Sequence, residues 1–113
     1  MASTELASKT CVPCRGGIPP MTPEEAGEMA ARLPRWQLSA DSRKIARLFE
    51  FPDFVGAMKF VNQVADLAED QGHHPDFEIH WNRVTLTLFT HKIDGLHEND
   101  FVMAARIDEL PRA

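Results

Sequence analysis

All five histidines of the chain, His73, His74, His80, His91 and His97, fall between positions 73 and 97 of a 113-residue sequence. Two of them are adjacent in the stretch Glu69-Asp-Gln-Gly-His-His-Pro75. Imidazole can hold or release a proton near neutral pH, so two such groups on either side of a substrate can serve as acid and base. Imidazole is also a metal ligand, and Glu69, His73, His74 and His91 would supply a ligand set on paper. Adjacent residues on an extended backbone point to opposite faces, however, which makes joint ligation by His73 and His74 awkward. The helical His-Glu-x-x-His spacing is also missing. No Ser, Cys or Lys nucleophile accompanies the cluster in a recognisable motif. The residues therefore point to a reaction that needs only proton movement, such as a dehydration, with no metal and no cofactor expected.

The elements around these residues decide whether they can meet. Thr22-Pro-Glu-Glu25 has the form of a capping box with proline at the first helical position. Ala26, Met29, Ala30 and Leu33 follow at helical spacing, and Pro34 stops the run. Trp36-Gln-Leu38 reads as a short strand, and Lys44 to Phe51 as a second with Ile45, Phe49 and Phe51 on one face. From Phe54, apolar residues recur at Ala57, Met58, Val61, Val64, Ala65 and Ala68, a helix of about 27 Å. Gly72 can take the left-handed conformation that ends it. That helix carries Glu69 in its last turn and delivers His73 and His74 at its exit.

Phe77, Ile79 and Trp81 alternate with polar residues, as do Val84, Leu86 and Leu88, which predicts a hairpin. A two-residue turn at Asn82-Arg83 would pair Trp81 with Val84, Ile79 with Leu86 and Phe77 with Leu88. Continued outward, that register sets His91 opposite His74, with His73 and Glu69 at the rim of the same pocket. His80 alternates with core residues and points outward. His97 occupies an N-cap ahead of a last helix, about Glu98 to Leu110, whose first turn holds Asp100. The fold class expected is α+β, with a four-stranded antiparallel sheet and three helices on one face, in the order α-β-β-α-β-β-α. A small one-sided sheet leaves an edge, so a homodimer or homotetramer is expected.

Composition narrows the classes further. The chain is 43% hydrophobic and 26% charged, with a formal net charge of -5, ordinary for one globular domain and without the basic face of a nucleic-acid binder. No apolar run approaches a membrane span, and the N-terminus has no apolar core of a secretory signal, so the cytoplasm is expected. Residues 1–21 are small, polar and broken by Pro and Gly, and read as a mobile tail ahead of a domain spanning 22–113. Cys11-Val-Pro-Cys14 within it is half of a zinc site at most.

The set Glu69-x3-His73-His74-Pro75, Trp81, Thr90-His91, Gly95-Leu96 and Asp100 resembles the pterin-4a-carbinolamine dehydratases, over about Thr22 to Ile107. Trp36, Phe51, Phe54 and Phe60 are the core landmarks of that resemblance. Two positions depart from it: His97 stands where the family usually has Thr or Ser, and Phe77 where Trp is common. The resemblance implies a metal-independent lyase that removes water from a 4a-hydroxytetrahydropterin left by an aromatic amino-acid hydroxylase, giving quinonoid dihydropterin for recycling. It implies His73 and His91 as acid and base, and His74 as binding substrate and stabilising the leaving hydroxyl. Glu69, Pro75, Phe77, Thr90 and Asp100 would line or support the pterin site. The same family includes members that act on a transcription factor or on hydroxylase expression, an interaction role that would use exposed helix faces.

Overall fold

The computed structural model describes residues 2–12 and 16–111. The elements are α1 (Ala2–Ala7), α2 (Pro23–Ala31), β1 (Gln37–Leu38), β2 (Ile45–Glu50), α3 (Phe54–Gln71), β3 (Asp76–His80), β4 (Arg83–Leu88) and α4 (Glu98–Asp108). A 3-10 turn spans His91–Ile93. The four strands form one antiparallel sheet in the order β1-β2-β4-β3, the α+β arrangement that the periodicities imply.

Local chemistry sets most of the boundaries. The Thr22 hydroxyl accepts from Glu25 N–H while the Glu25 carboxylate accepts from Thr22 N–H, so the capping box is complete. Asp53 caps α3 by accepting from Gly56 N–H at 2.8 Å, and Gly72 ends that helix at φ 65°. Ile45 and Phe49 of β2 sit opposite Leu88 and Val84 of β4, and these four side chains are buried beneath the helices with Phe51, Phe60, Val64 and Phe101. Arg47 shares that face, where it pairs with Asp108 at the end of α4 and lies over the Phe49 ring. Trp36 Nε1–H donates to the same Asp108 at 2.9 Å, which ties the end of α4 to the start of β1.

Four expectations from the sequence need correction. The hairpin turns at Trp81-Asn82 rather than Asn82-Arg83, so that Ile79 pairs with Val84 and Phe77 with Leu86. The cause lies in β2. Asn82 extends the β2–β4 ladder, accepting from Phe51 N–H through its backbone oxygen and donating to Phe51 O through its side chain, both at 2.9 Å. Trp81 is then left to make the bend at φ 50° and stands 64% exposed instead of entering the core. Because the register moves by an even number of residues, each side chain keeps its face.

Phe54 is likewise half-exposed at the first turn of α3 rather than part of the core. β3 is an edge strand whose five residues are all exposed, so Phe77 and Ile79 are only partly covered on the helix side. Finally, the described part of residues 1–21 is not a structureless arm. α1 packs on α4 through the buried Leu6, and Arg106 Nε donates to Lys9 O at 2.7 Å. Periodicity could not show a helix of six residues, because one buried leucine makes no stripe. Cys14 lies outside the described residues.

Candidate active site

Where α3 ends, the chain leaves Gly72 in the left-handed conformation and runs extended into β3. That passage presents His73, His74, Pro75 and Asp76 to one side of a concave pocket of about 530 Å³. The other side is built by Phe89, Thr90, His91 and Lys92, just beyond β4. Thr90 N–H bonds to Gly95 O at 2.8 Å, which folds the segment 90–95 back on itself and starts the 3-10 turn at His91. Gly95 is required there by a close approach, since a Cβ would meet Pro20 Cβ at 2.5 Å.

Asp100 anchors the interior of the site. Its side chain is fully buried at the N-terminus of α4 and accepts three hydrogen bonds. They come from His73 Nε2 at 2.6 Å, from the Thr90 hydroxyl at 2.9 Å and from His97 N–H at 3.0 Å. The helix N-terminus favours the carboxylate, and the three donors satisfy it, so a charge that would be costly alone is accommodated. With Nε2–H donated to Asp100, the neutral His73 ring has Nδ1 as its proton acceptor. His97 completes the cap, its Nδ1 accepting from Asn99 N–H at 3.1 Å, the role proposed for it from sequence.

His74 has a different setting. Its Nε2 meets Glu69 Oε2 at 2.5 Å across the α3 exit, with both side chains largely in solvent. His91 stacks against Phe89, ring centroids 4.1 Å apart and planes inclined by 42°. Among the described residues, His80 pairs with Glu78 at 3.2 Å on the exposed edge strand and lies outside the pocket lining.

The three histidines thus converge as the hairpin argument required, although by another route. In the observed register it is Phe89, not His91, that continues opposite His74, and His91 reaches the pocket by the turn after β4. The positions at the rim are also exchanged: His73 is the enclosed ring, 13% exposed, and His74 the outer one, at 59%. Pro75 and Thr90 line the pocket, whereas Asp100 and Glu69 lie outside its lining, each bonded to one ring, His73 and His74 respectively. Phe77 does not line it. Asp76 does, and alternation along β3 sends the next side chain to the other face, opposite Leu86.

Sequence reasoning missed one wall altogether, formed by Cys11, Val12, Gln71 and Asn99. No local signal marks it, because its contacts join positions far apart in the chain. The Cys11 thiol is pushed up to about 11, first by burial and then by the Asp100 charge, with Arg106 opposing. It stays protonated at neutral pH and is a poor nucleophile. Among the described residues, no three His, Cys, Asp or Glu side chains gather as a metal-ligand set, and no helix is long and apolar enough to cross a membrane.

Fold and site together define an α+β domain with a histidine-lined pocket beside its antiparallel sheet. The family model described as pterin 4 alpha carbinolamine dehydratase matches residues 19–110, and the chain belongs to that family. A Methylococcus capsulatus protein carrying the provisional name pterin-4-alpha-carbinolamine dehydratase is 48% identical, over 97% of this chain and 96% of its own length. A protein of Aromatoleum aromaticum with the same provisional name is 53% identical, over 96% of each chain. Among solved structures, one described as a transcriptional coactivator/pterin dehydratase from Brucella melitensis superposes with a TM-score of 0.74 at 37% identity. It covers 79% of this chain and 95% of that one.

Proposed function

We propose that the protein is a metal-independent dehydratase of 4a-hydroxytetrahydropterins, acting by histidine acid–base catalysis in the recycling of a tetrahydropterin cofactor. The observation that carries this reading is the buried His73–Asp100 pair, which faces a pocket shared with His74 and His91. In the reaction, the bond from the bridgehead carbon to its hydroxyl breaks as that oxygen takes a proton and leaves as water. The adjacent ring N–H gives up its proton, and the electron pair closes a carbon–nitrogen double bond. Nothing is oxidised or reduced overall, so one acid and one base suffice.

His73, oriented by Asp100, and His91, on the facing segment, are the acid and base. His74 binds substrate and supports the leaving hydroxyl, with Glu69 orienting its ring. The single thiol that the described pocket contains is protonated, which agrees with a reaction lacking a covalent intermediate. The exposed β3 edge is the surface through which we infer that a second copy adds, forming a homodimer or a larger assembly. Sedimentation as a monomer at micromolar concentration would contradict that assembly.

The decisive test is turnover of an enzymatically generated carbinolamine, followed as quinonoid dihydropterin, with and without EDTA. Turnover unaffected by EDTA is expected. Failure to accelerate dehydration over the spontaneous rate would reject the reading. It would leave the coactivator role named for the Brucella melitensis structure as the next to examine, using pull-down with the intact chain.

A further inference from the structure

Two residues of the missed wall, Cys11 and Val12, belong to a segment outside the matched family domain, which begins at residue 19. This strap, residues 8–12 after α1, nevertheless brings Cys11 and Val12 to the cavity that His73 and His91 also line. We propose that Val12 is a specificity-determining residue that contacts the pterin, and that Asn99 is the positioning residue holding it there. The proposal rests on the pterin-dehydratase reading of this pocket.

The strap is docked by polar contacts of unusual economy. The buried Asn99 spends both ends of its amide on one residue: Oδ1 accepts from Val12 N–H at 2.9 Å and Nδ2 donates to Val12 O at 2.6 Å. This two-point clamp imitates a rung of β-ladder with a side chain in place of a strand. Gln71, at the last position of α3, accepts from Cys11 N–H at 2.9 Å, and the Cys11 thiol donates to Asn99 O at 3.6 Å. Upstream, Leu6 is buried against α4, Arg106 grips Lys9 O, and Lys9 pairs with Glu98 at 3.5 Å. These contacts join the segment to the end of α3, from which the chain runs on to His73, and to α4, which carries Asp100.

With its N–H and C=O both engaged by Asn99, Val12 offers the pocket chiefly its isopropyl group, and the residue is 57% exposed. The catalytic side of the pocket is mostly polar, with His73, His74, His91 and Thr90. A flat heterocycle held against those groups needs an apolar contact for its face, and a clamped valine provides one that is already ordered. Ordering by Asn99 means that substrate binding does not have to immobilise the strap. The effect therefore falls on binding rather than on the chemical step.

The test uses full-length Val12→Asp and Asn99→Ala in steady-state dehydration, with trypsin cleavage after Lys9 as a measure of strap docking. Val12→Asp should raise KM roughly tenfold with kcat within about twofold, and should leave the cleavage rate unchanged because the clamp is made by backbone. Asn99→Ala should raise KM by a similar factor and also accelerate cleavage at Lys9. If Asn99→Ala fails to fold, Val12→Asp alone decides, since its side chain is exposed. Wild-type turnover with an unchanged KM in Val12→Asp would overturn the inference and leave the dehydratase reading standing. A fall in kcat without a change in KM in Asn99→Ala would overturn its positioning role. A wild-type protein that neither turns over carbinolamine nor binds tetrahydropterin would overturn both readings together.

Discussion

His73 and His74 are neighbours in the chain, each has a carboxylate within hydrogen-bond reach, and yet they live in different media. His73 is enclosed and bonded to a carboxylate that water does not reach, which two further donors hold still. His74 and Glu69 form the same kind of pair at the exit of α3, open to solvent on both sides. Alternation along an extended backbone explains the split, since one ring must turn inward if the other turns out. An exposed pair is screened and flexible, whereas a buried, fully bonded one is pre-organised and retains its electrostatic strength. On the proposed reading, that difference suits His73 to proton transfer and His74 to holding substrate and its leaving hydroxyl at the mouth.

The largest predicted effect tests that division directly. His73→Ala should lower kcat roughly 10²-fold or more, with His91→Ala close behind, whereas His74→Ala should raise KM and lower kcat by less, about tenfold. Equal losses of kcat in all three variants, measured by stopped-flow dehydration, would erase the distinction.

Next in size is the contrast between the two carboxylates. Asp100→Asn should reduce activity about 10- to 100-fold, the usual cost of losing the group that orients a working imidazole. It should also destabilise the fold by about 1–3 kcal/mol in urea titrations, because the new amide cannot accept from all three donors. Glu69→Gln should alter stability by less than about 0.5 kcal/mol.

A third, smaller effect concerns the wall beside His73. The Cys11 pKa is raised, so its contribution to stability is complete below pH 9, the pKa of an ordinary thiol, and is lost as pH rises toward about 11. Wild type should lose about 2 kcal/mol over that window relative to Cys11→Ala, compared by denaturant melts at pH 8 and pH 11. A parallel pH dependence in the two proteins would show that the thiol is not desolvated. The smallest effect is His80→Ala, which should leave activity within about twofold, because that ring sits on the exposed edge strand with Glu78.

Legibility in the sequence followed the range of the interactions. The capping box at Thr22, the stop at Gly72 and the period of α3 all depend on residues close to one another in the chain, and they could be read directly. The hairpin was legible in its faces but not in its turn, because β2, through Phe51, decides which residue bends. Trp81 illustrates the cost of reading a strand alone. Its alternation with Ile79 is real, but a neighbour thirty residues upstream claims Asn82 and sends the indole to solvent.

For the site, residue types and spacing alone determined that His73, His74 and His91 could gather around a proton-transfer chemistry without a nucleophile, since those properties belong to side chains and short segments. Only the tertiary structure decided which histidine is enclosed and that Asp100 holds it. It also decided that Phe77 lies on the other face and that Val12 comes to the pocket across the chain. Each of those outcomes depends on burial and on contacts between distant segments, and neither quantity exists until the helices have packed on the sheet.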